Sequence, residues 1–253
     1  MEMRKPRRVS KSAAIYVPVG ALLVIFLTIL GISSFLRIME IEVVGATRYS
    51  FEDIISVSGI SSGDNLLFLD VESAERRITA AMPFIREAEI TRILPDGVKI
   101  AVLESTPIAA VQTRTDVLII DSSGRILERT DVLAQDLIEI RGVTPVDASV
   151  GGQLRSLPGE ESRIQYMRDL LTAFEREGLA DDISNLDVTH TAQITFGYMG
   201  RFRVILGDQR HLQRKLDMLP AAVDDINERG GEHVVGTIDI SNLNLGARFA
   251  PNV

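Results

Sequence analysis

The sequence contains no cysteine, so a disulfide framework, a thiol nucleophile and a thiolate metal site are all excluded. Histidine is scarce. His190, His211 and His233 stand far apart, and none has a partner at metal-ligand spacing. The short motifs that carry catalysis are missing too. There is no His-Glu-x-x-His helix, no Gly-x-Ser-x-Gly elbow, no Ser-x-x-Lys pair, and no Gly-rich phosphate loop after a strand. Asp181-Asp182 and Asp224-Asp225 are neighbours in sequence, whereas a catalytic carboxylate pair needs a set separation across a cleft. Asp64, Asn65 and Asp70 lack the spacing of a calcium loop. No catalytic, cofactor-binding or metal-ligating residue is expected, and the reading is of a protein that is not an enzyme and needs no cofactor.

Basic residues are also under-represented. The chain carries 27 Lys and Arg against 35 Asp and Glu, a formal charge of −8. Residues 1–36 hold five of the basic residues and one of the acidic ones, which leaves 22 against 34 and a charge of −12 on the rest. A surface of that sign does not suit nucleic acid or an anionic lipid surface. Low-complexity tracts and repeats of fixed period are absent.

What is present begins at the N-terminus. Ala13 to Leu36 is a run of 24 residues without a charge. As a helix it would be about 36 Å long, enough for a hydrocarbon core of about 30 Å. Arg4, Lys5, Arg7, Arg8 and Lys11 precede it against Glu2 alone, so the N-terminus is expected in the cytoplasm and the remainder outside. A cleaved signal peptide would have an apolar region of about 7–15 residues, shorter than this run. The expected organisation is a basic tail at 1–12, a transmembrane helix at 13–36, and an exported part of one large or two small domains.

In that exported part, Met39, Ile41 and Val43 alternate with Glu40, Glu42 and Val44, a half-buried strand closed by Gly45. Ser50 and Asp53 form a variant capping box for a short helix ended by Gly59. Asp70 caps a second helix that stops at Pro83. Two strands follow, Ile85 to Ile93 and Val98 to Val102, joined by the turn Leu94-Pro95-Asp96-Gly97. The order over 37–106 is strand–helix–helix–strand–strand. From 107 to 253 the chain is richer in strands. Ile108–Thr113 and Val117–Asp121 form a hairpin, and Thr144–Gly159 is a loop. Ile164, Met167, Leu171 and Phe174 mark one amphipathic helix. Leu212, Leu216, Leu219, Val223 and Ile226 mark another, kinked or broken at Pro220. The fold class is α+β.

The candidate binding feature is a terminal strand over Ser241, Asn242, Leu243, Asn244, Leu245, Gly246, Ala247, Arg248 and Phe249. Leu243, Leu245 and Ala247 alternate with Asn244, Gly246 and Arg248, and such a strand is expected at a sheet edge, where it can recruit a strand from a partner. A proline at Leu245 is expected to remove one of its backbone donors.

The order of parts resembles the FtsQ/DivIB family of bacterial cell-division proteins, whose exported part is a POTRA domain followed by a β domain. The residues that carry the likeness are Ile41–Gly45, Asn65–Asp70, Pro83–Pro95, Val98–Ala109, Ile119–Gly124, Lys215-Leu216, Ile238–Ile240 and Arg248–Pro251. The resemblance implies a bitopic scaffold of the division septum in the cell (inner) membrane, with its ectodomain periplasmic or otherwise extracytoplasmic. It implies FtsB/DivIC-like and FtsL-like single-span partners, a link to the septal transpeptidase and an FtsW-like glycosyltransferase, and partner strand addition at Ser241 to Phe249. Family members often carry a bulky aromatic at the start of that edge, where this chain has Asn242 and Leu243. The alternative is a POTRA-containing factor for transport or assembly of exported polypeptides.

Overall fold

The computed structural model describes residues 18–27, 31, 36–132 and 136–251. The expected basic tail 1–12 and half of the expected span, residues 13–17, 28–30 and 32–35, lie outside them. Residues 18–27 are helical, with Leu22, Phe26 and their apolar neighbours exposed. Among the described residues no helix is long and apolar enough to cross a membrane.

The chain divides into two compact units. The first runs to Thr79 and adds Glu87–Glu104. The second takes Ala80–Arg86 and everything from Ser105 onward.

The first unit has the expected order of elements. These are β1 (Glu40–Val44), α1 (Phe51–Ser58), α2 (Val71–Ala81), β2 (Ile85–Ile93) and β3 (Gly97–Glu104). Its sheet has the order β1-β3-β2, with β1 parallel to β3 from Glu40 opposite Gly97 to Val44 opposite Ala101. Parallel neighbours cannot be joined by a tight turn, and α1 and α2 lie in the crossover between β1 and β2. The period-two pattern places Val98, Ile100 and Val102 of β3 in the core, with Ile54 of α1 and Ala74 and Ile78 of α2. Both helices start on the caps the sequence suggests. Ser50 Oγ accepts from the Asp53 N–H at 3.1 Å, and Asp70 Oδ1 from the Ser73 N–H at 3.1 Å. The Ser73 hydroxyl and amide hold the Asp70 carboxyl below its usual range.

The second unit is built on one nine-stranded sheet. Its strands are β4 (Ala109–Gln112), β5 (Val117–Ile120), β6 (Ile126–Thr130), β7 (Ile138–Arg141), β10 (Ile183–Asp187), β11 (Ile194–Tyr198), β12 (Phe202–Gly207), β13 (Gly236–Asp239) and β14 (Arg248–Pro251). Across the sheet the order is β14-β13-β12-β11-β10-β7-β4-β5-β6. β8 (Pro145–Val146) and β9 (Arg155–Ser156) pair as a small ribbon inside the segment expected to be a loop.

The helices occur where the sheet requires them. β7 and β10 are parallel, and α3 (Glu161–Arg176) connects them. β12 and β13 are parallel, and α4 (Leu212–Leu216) with α5 (Met218–Gly230) connects them. Both crossovers cover the same face. Met167, Leu171 and Phe174 of α3, and Leu219, Val223 and Ile226 of α5, share one core with Val111, Leu118, Ile140, Phe196, Val204 and Ile238 of the sheet. Each fully buried side chain of this size contributes about 1.5–3 kcal/mol. The opposite face carries Glu139, Arg141, Asp187, Arg203, Thr237 and Asp239, none of them fully buried.

One expected kink is displaced. The helical segment breaks at Asp217, between α4 and α5, and Pro220 lies inside the first turn of α5. Proline removes a donor and its ring collides with the carbonyl four residues earlier, here Leu216. The break therefore falls before the proline, and Pro220 sits where a missing N–H costs least. Lys215 secures the joint from below. It is buried, and its Nζ donates to the carbonyls of Leu206 (3.0 Å) and Asp208 (2.7 Å) and to Asp208 Oδ1 (3.2 Å).

A candidate partner-binding sheet edge

β14 forms one edge of the large sheet and pairs antiparallel with β13. Gly236 faces Pro251, Thr237 faces Ala250, Ile238 faces Phe249, and Asp239 faces Arg248. The direction of each backbone group follows from two bonds on the far side of β13. Gly236 donates to the Arg201 carbonyl at 3.2 Å and Ile240 to the Ile205 carbonyl at 3.0 Å. Residues 236, 238 and 240 thus turn their backbone groups toward β12, and 237 and 239 turn theirs toward β14. Ala250 and Arg248 bond inward, while Phe249 and Pro251 face outward. Within β14 the outward groups are the Phe249 N–H and the carbonyls of Phe249 and Pro251. Pro251 occupies a position where the donor it lacks would point away from the sheet, the placement an edge strand tolerates.

The side chains alternate the other way. Phe249 lies on the helix-covered face, half-buried, with its ring edge-on to Phe202 at 6.2 Å and 89°. The Arg201 guanidinium sits 4.6 Å from the centre of the Phe202 ring. A groove of about 300 Å³ opens between α5 and this edge. Ala222 and Ile226 of α5, Val234, Ile238 and Phe249 supply its apolar lining, and Asp225 and Arg229, paired at 2.6 Å, its charges.

On the opposite face one carboxylate ties three segments together. Asp239 Oδ1 accepts from the Ser241 N–H (2.9 Å) and Oγ (2.6 Å), and Oδ2 from Arg248 Nη2 (2.6 Å). Burial is the largest single influence on this carboxyl and pushes it up, but the bonds from Ser241 and Arg248 together outweigh it and hold Asp239 below the usual carboxylate range. A depressed folded value adds stability above the unfolded value and loses it as pH falls through the folded one. Hydrogen-exchange protection of the β13–β14 pair is therefore expected to be flat from neutral pH down to about 4 and to fall only below that. Asp239→Asn should flatten this acid limb. An acid loss of the same size in that variant would assign it to another group.

The segment expected as a continuous strand is divided. Ser241 is a bend held to Asp239. Asn242 caps a 3₁₀ turn over Leu243–Leu245, its Oδ1 accepting from the Asn244 N–H at 3.0 Å. Gly246, at φ 65°, reverses the chain, and Ala247 leads into β14. Only Arg248 and Phe249 of the expected nine residues pair with the sheet, joined by Ala250 and Pro251. The apolar alternation of Leu243, Leu245 and Ala247 gives way to local hydrogen bonding, because an Asn side chain bonds the backbone two residues on and Gly246 enters left-handed space at little cost. The Leu245 N–H donates to the Asn242 carbonyl at 3.1 Å, so a proline there opens the turn and leaves the edge donors in place.

Three contributors carry no signal of this role in sequence: Gly236, and Asp225 and Arg229 of the groove. Pro251 does, as a proline in a terminal apolar stretch. His190, His211 and His233 are not brought together, and among the described residues no group of three or more His, Cys, Asp or Glu is placed to hold a metal ion.

A family model described as POTRA domain, FtsQ-type, matches residues 36–105. A second, described as cell division protein FtsQ/DivIB, C-terminal, matches 109–241 and stops short of β14. The chain is 24% identical over 184 residues to the cell division protein DivIB of Clostridium tetani, covering 72% of this chain and 68% of the relative. It is 27% identical over 224 residues to the cell division protein FtsQ of Syntrophotalea carbinolica, covering 86% and 74%. With the FtsQ of Corynebacterium glutamicum it shares 30% identity over 111 residues, 42% of this chain and 50% of the relative.

Proposed function

Because the chain belongs to the FtsQ/DivIB family of cell division proteins, we propose that it is a non-enzymatic, single-span scaffold of the division machinery that holds a partner strand on its β14 edge. The partner is an FtsB/DivIC-like single-span protein paired with an FtsL-like one, and through them the chain connects to the septal transpeptidase and an FtsW-like glycosyltransferase. The run Ala13–Leu36 tethers the chain in the membrane, with the tail cytoplasmic and the remainder outside.

The observation that carries this reading is the outward-facing edge of β14 beside an apolar groove. An added strand satisfies the Phe249 N–H and the carbonyls of Phe249 and Pro251, and every second side chain of it points to the groove side. One apolar residue fits a groove floored by Ile226, Ile238 and Phe249. Few backbone bonds are on offer, so the contact is modest by itself. Tethering both partners in one membrane raises their effective concentration and makes a modest contact sufficient.

Two variants isolate the backbone contribution. Phe249→Ala removes the ring and keeps the donor. Phe249→Pro removes both, and the strand conformation of Arg248 already suits a following proline. Affinity for the purified partner pair is expected to be lower for Phe249→Pro than for Phe249→Ala by about threefold to tenfold, the range of one net hydrogen bond. Equal affinities would place the partner away from this edge. Depletion of the protein is expected to give filamentous or chained cells, and normal septation would remove the division role itself.

A further inference from the structure

Three segments of the first unit converge where the chain leaves the uncharged run. The Leu66 N–H donates to the Leu36 carbonyl at 2.8 Å, and the Ile38 N–H to the Asp64 carbonyl at 2.9 Å. The Asp96 carbonyl accepts from Met39 at 2.8 Å and from Glu40 at 3.3 Å. Arg92 holds the 65–69 loop from the other side, with Nε on the Leu66 carbonyl (2.9 Å) and Nη2 on the Leu69 carbonyl (2.7 Å). The start of β1 and the turn between β2 and β3 share one end of the sheet, because β1 and β3 are parallel with Glu40 opposite Gly97.

That end is apolar and exposed. Met39, Phe68 and Leu94 are 73%, 76% and 67% exposed, and Leu67 and Ile93 are close to half exposed. Single exposed apolar residues are ordinary, but five on three adjoining segments need a cover. The chain itself restricts what the cover is. Met39 is three residues beyond Leu36, so it cannot lie more than about 10 Å along the chain from the end of the run. Charge does not select the patch, since Arg37 and Arg92 stand near it with Asp64, Asp96 and Glu40.

We propose that this end of the first unit is seated in the membrane interface, with Met39, Leu67, Phe68, Ile93 and Leu94 dipping into the boundary between headgroups and acyl chains. The inference rests on the single-span reading above. It gives the tether a second point of support and fixes the orientation of the first unit on the bilayer. Apolar contact is the source of binding, so the seating is insensitive to salt and to the fraction of anionic lipid.

The chain has no tryptophan, which makes single-tryptophan reporters unambiguous. Full-length protein is reconstituted in phosphatidylcholine vesicles with brominated acyl chains, which quench nearby indole emission. Phe68→Trp is expected to lose about half or more of its emission relative to unbrominated vesicles, as for a side chain buried roughly 5–10 Å into the interface. Phe51→Trp, at the start of α1 beyond the other end of β1, should keep its emission. Phe26→Trp, within the uncharged run, reports the span. Quenching of Phe26→Trp without quenching of Phe68→Trp overturns the interface seating and leaves the span standing. Absence of quenching at both positions overturns the span and the seating with it. Equal quenching at Phe51→Trp removes the orientation. A blue shift of Phe68→Trp that needs the partner pair assigns the patch to a protein surface and overturns the lipid assignment.

Discussion

Gly236→Val is expected to release β14 from the sheet, with a drop of roughly 30- to 150-fold in the hydrogen-exchange protection of the Thr237 and Asp239 amides, the equivalent of about 2–3 kcal/mol. A Cβ at position 236 would lie 2.5 Å from the Ala250 carbonyl oxygen and 2.5 Å from Cε2 of Phe249. A ring can rotate away, but a backbone carbonyl cannot move without giving up the Thr237–Ala250 pair. What holds β14 is of similar size. It has two hydrogen-bonded residue pairs, the half-buried Phe249 ring, and the Arg248–Asp239 ion pair at 2.6 Å. Valine favours strands more than glycine does, so a loss cannot be assigned to propensity. The Gly236 N–H, directed at Arg201, remains available to β12. Partner affinity should fall with the fraction of molecules that present no edge, while the melting temperature of the core changes little. Unchanged protection and unchanged partner affinity together would show that Phe249 does not pack over Gly236.

Phe174→Ala is expected to have the opposite profile, with a large loss of stability and an intact edge. Phe174 on α3 meets Phe196 on β11 edge-on, with ring centres 5.2 Å apart and planes at 61°, and both are fully buried. Replacing a buried phenylalanine by alanine removes its transfer free energy and leaves a cavity, together about 3–5 kcal/mol. For a unit of this size each kcal/mol lowers the melting temperature by about 2–4 °C, so the expected fall is on the order of 10 °C. β12 and β13 lie between β11 and the edge. Below the new melting temperature, partner affinity should stay close to that of the parent protein. A variant that melts normally would mean that the site collapses around the lost ring. One that folds but no longer binds would couple the centre of the sheet to its edge.

Together the two substitutions separate stability from the proposed partner binding, because the core and the edge depend on different physics. The core is set by side-chain area removed from water, which shows in sequence as periodicity. Ile164, Met167, Leu171 and Phe174 recur at helical spacing, and the structure places all four in the core of the second unit. Val98, Ile100 and Val102 alternate, and all three are buried in β3. The caps at Ser50 and Asp70 are legible for the same reason, since a cap acts on amides only a few residues away. Where local rules compete, the hydrogen bonds closest in sequence decide the outcome. Leu243, Leu245 and Ala247 satisfy the pattern of a strand, but Asn242 and Gly246 offer a turn that closes its own hydrogen bonds, and β14 starts only at Arg248. Pro220 signals a break, and the break occurs at Asp217 because the proline ring acts on the turn before it.

The sequence by itself determined the order of elements in the first unit, the helix caps, the inward faces of the helices and strands it predicted, the acidic balance, and the absence of cysteine and of known catalytic motifs. Each of these depends on residue type or on neighbours within about one turn or one strand. Tertiary structure alone decided where the edge strand starts, which way its backbone groups point, and what stands beside it. β14 is an edge because β13 pairs with β12 on its other side, a relation fixed by a crossover through α4 and α5. The outward direction of the Phe249 N–H depends on a register shared between two strands. The role of Gly236 depends on a ring thirteen residues further along the chain. Contacts of that range are set by how whole elements pack, and no local pattern of residues encodes them.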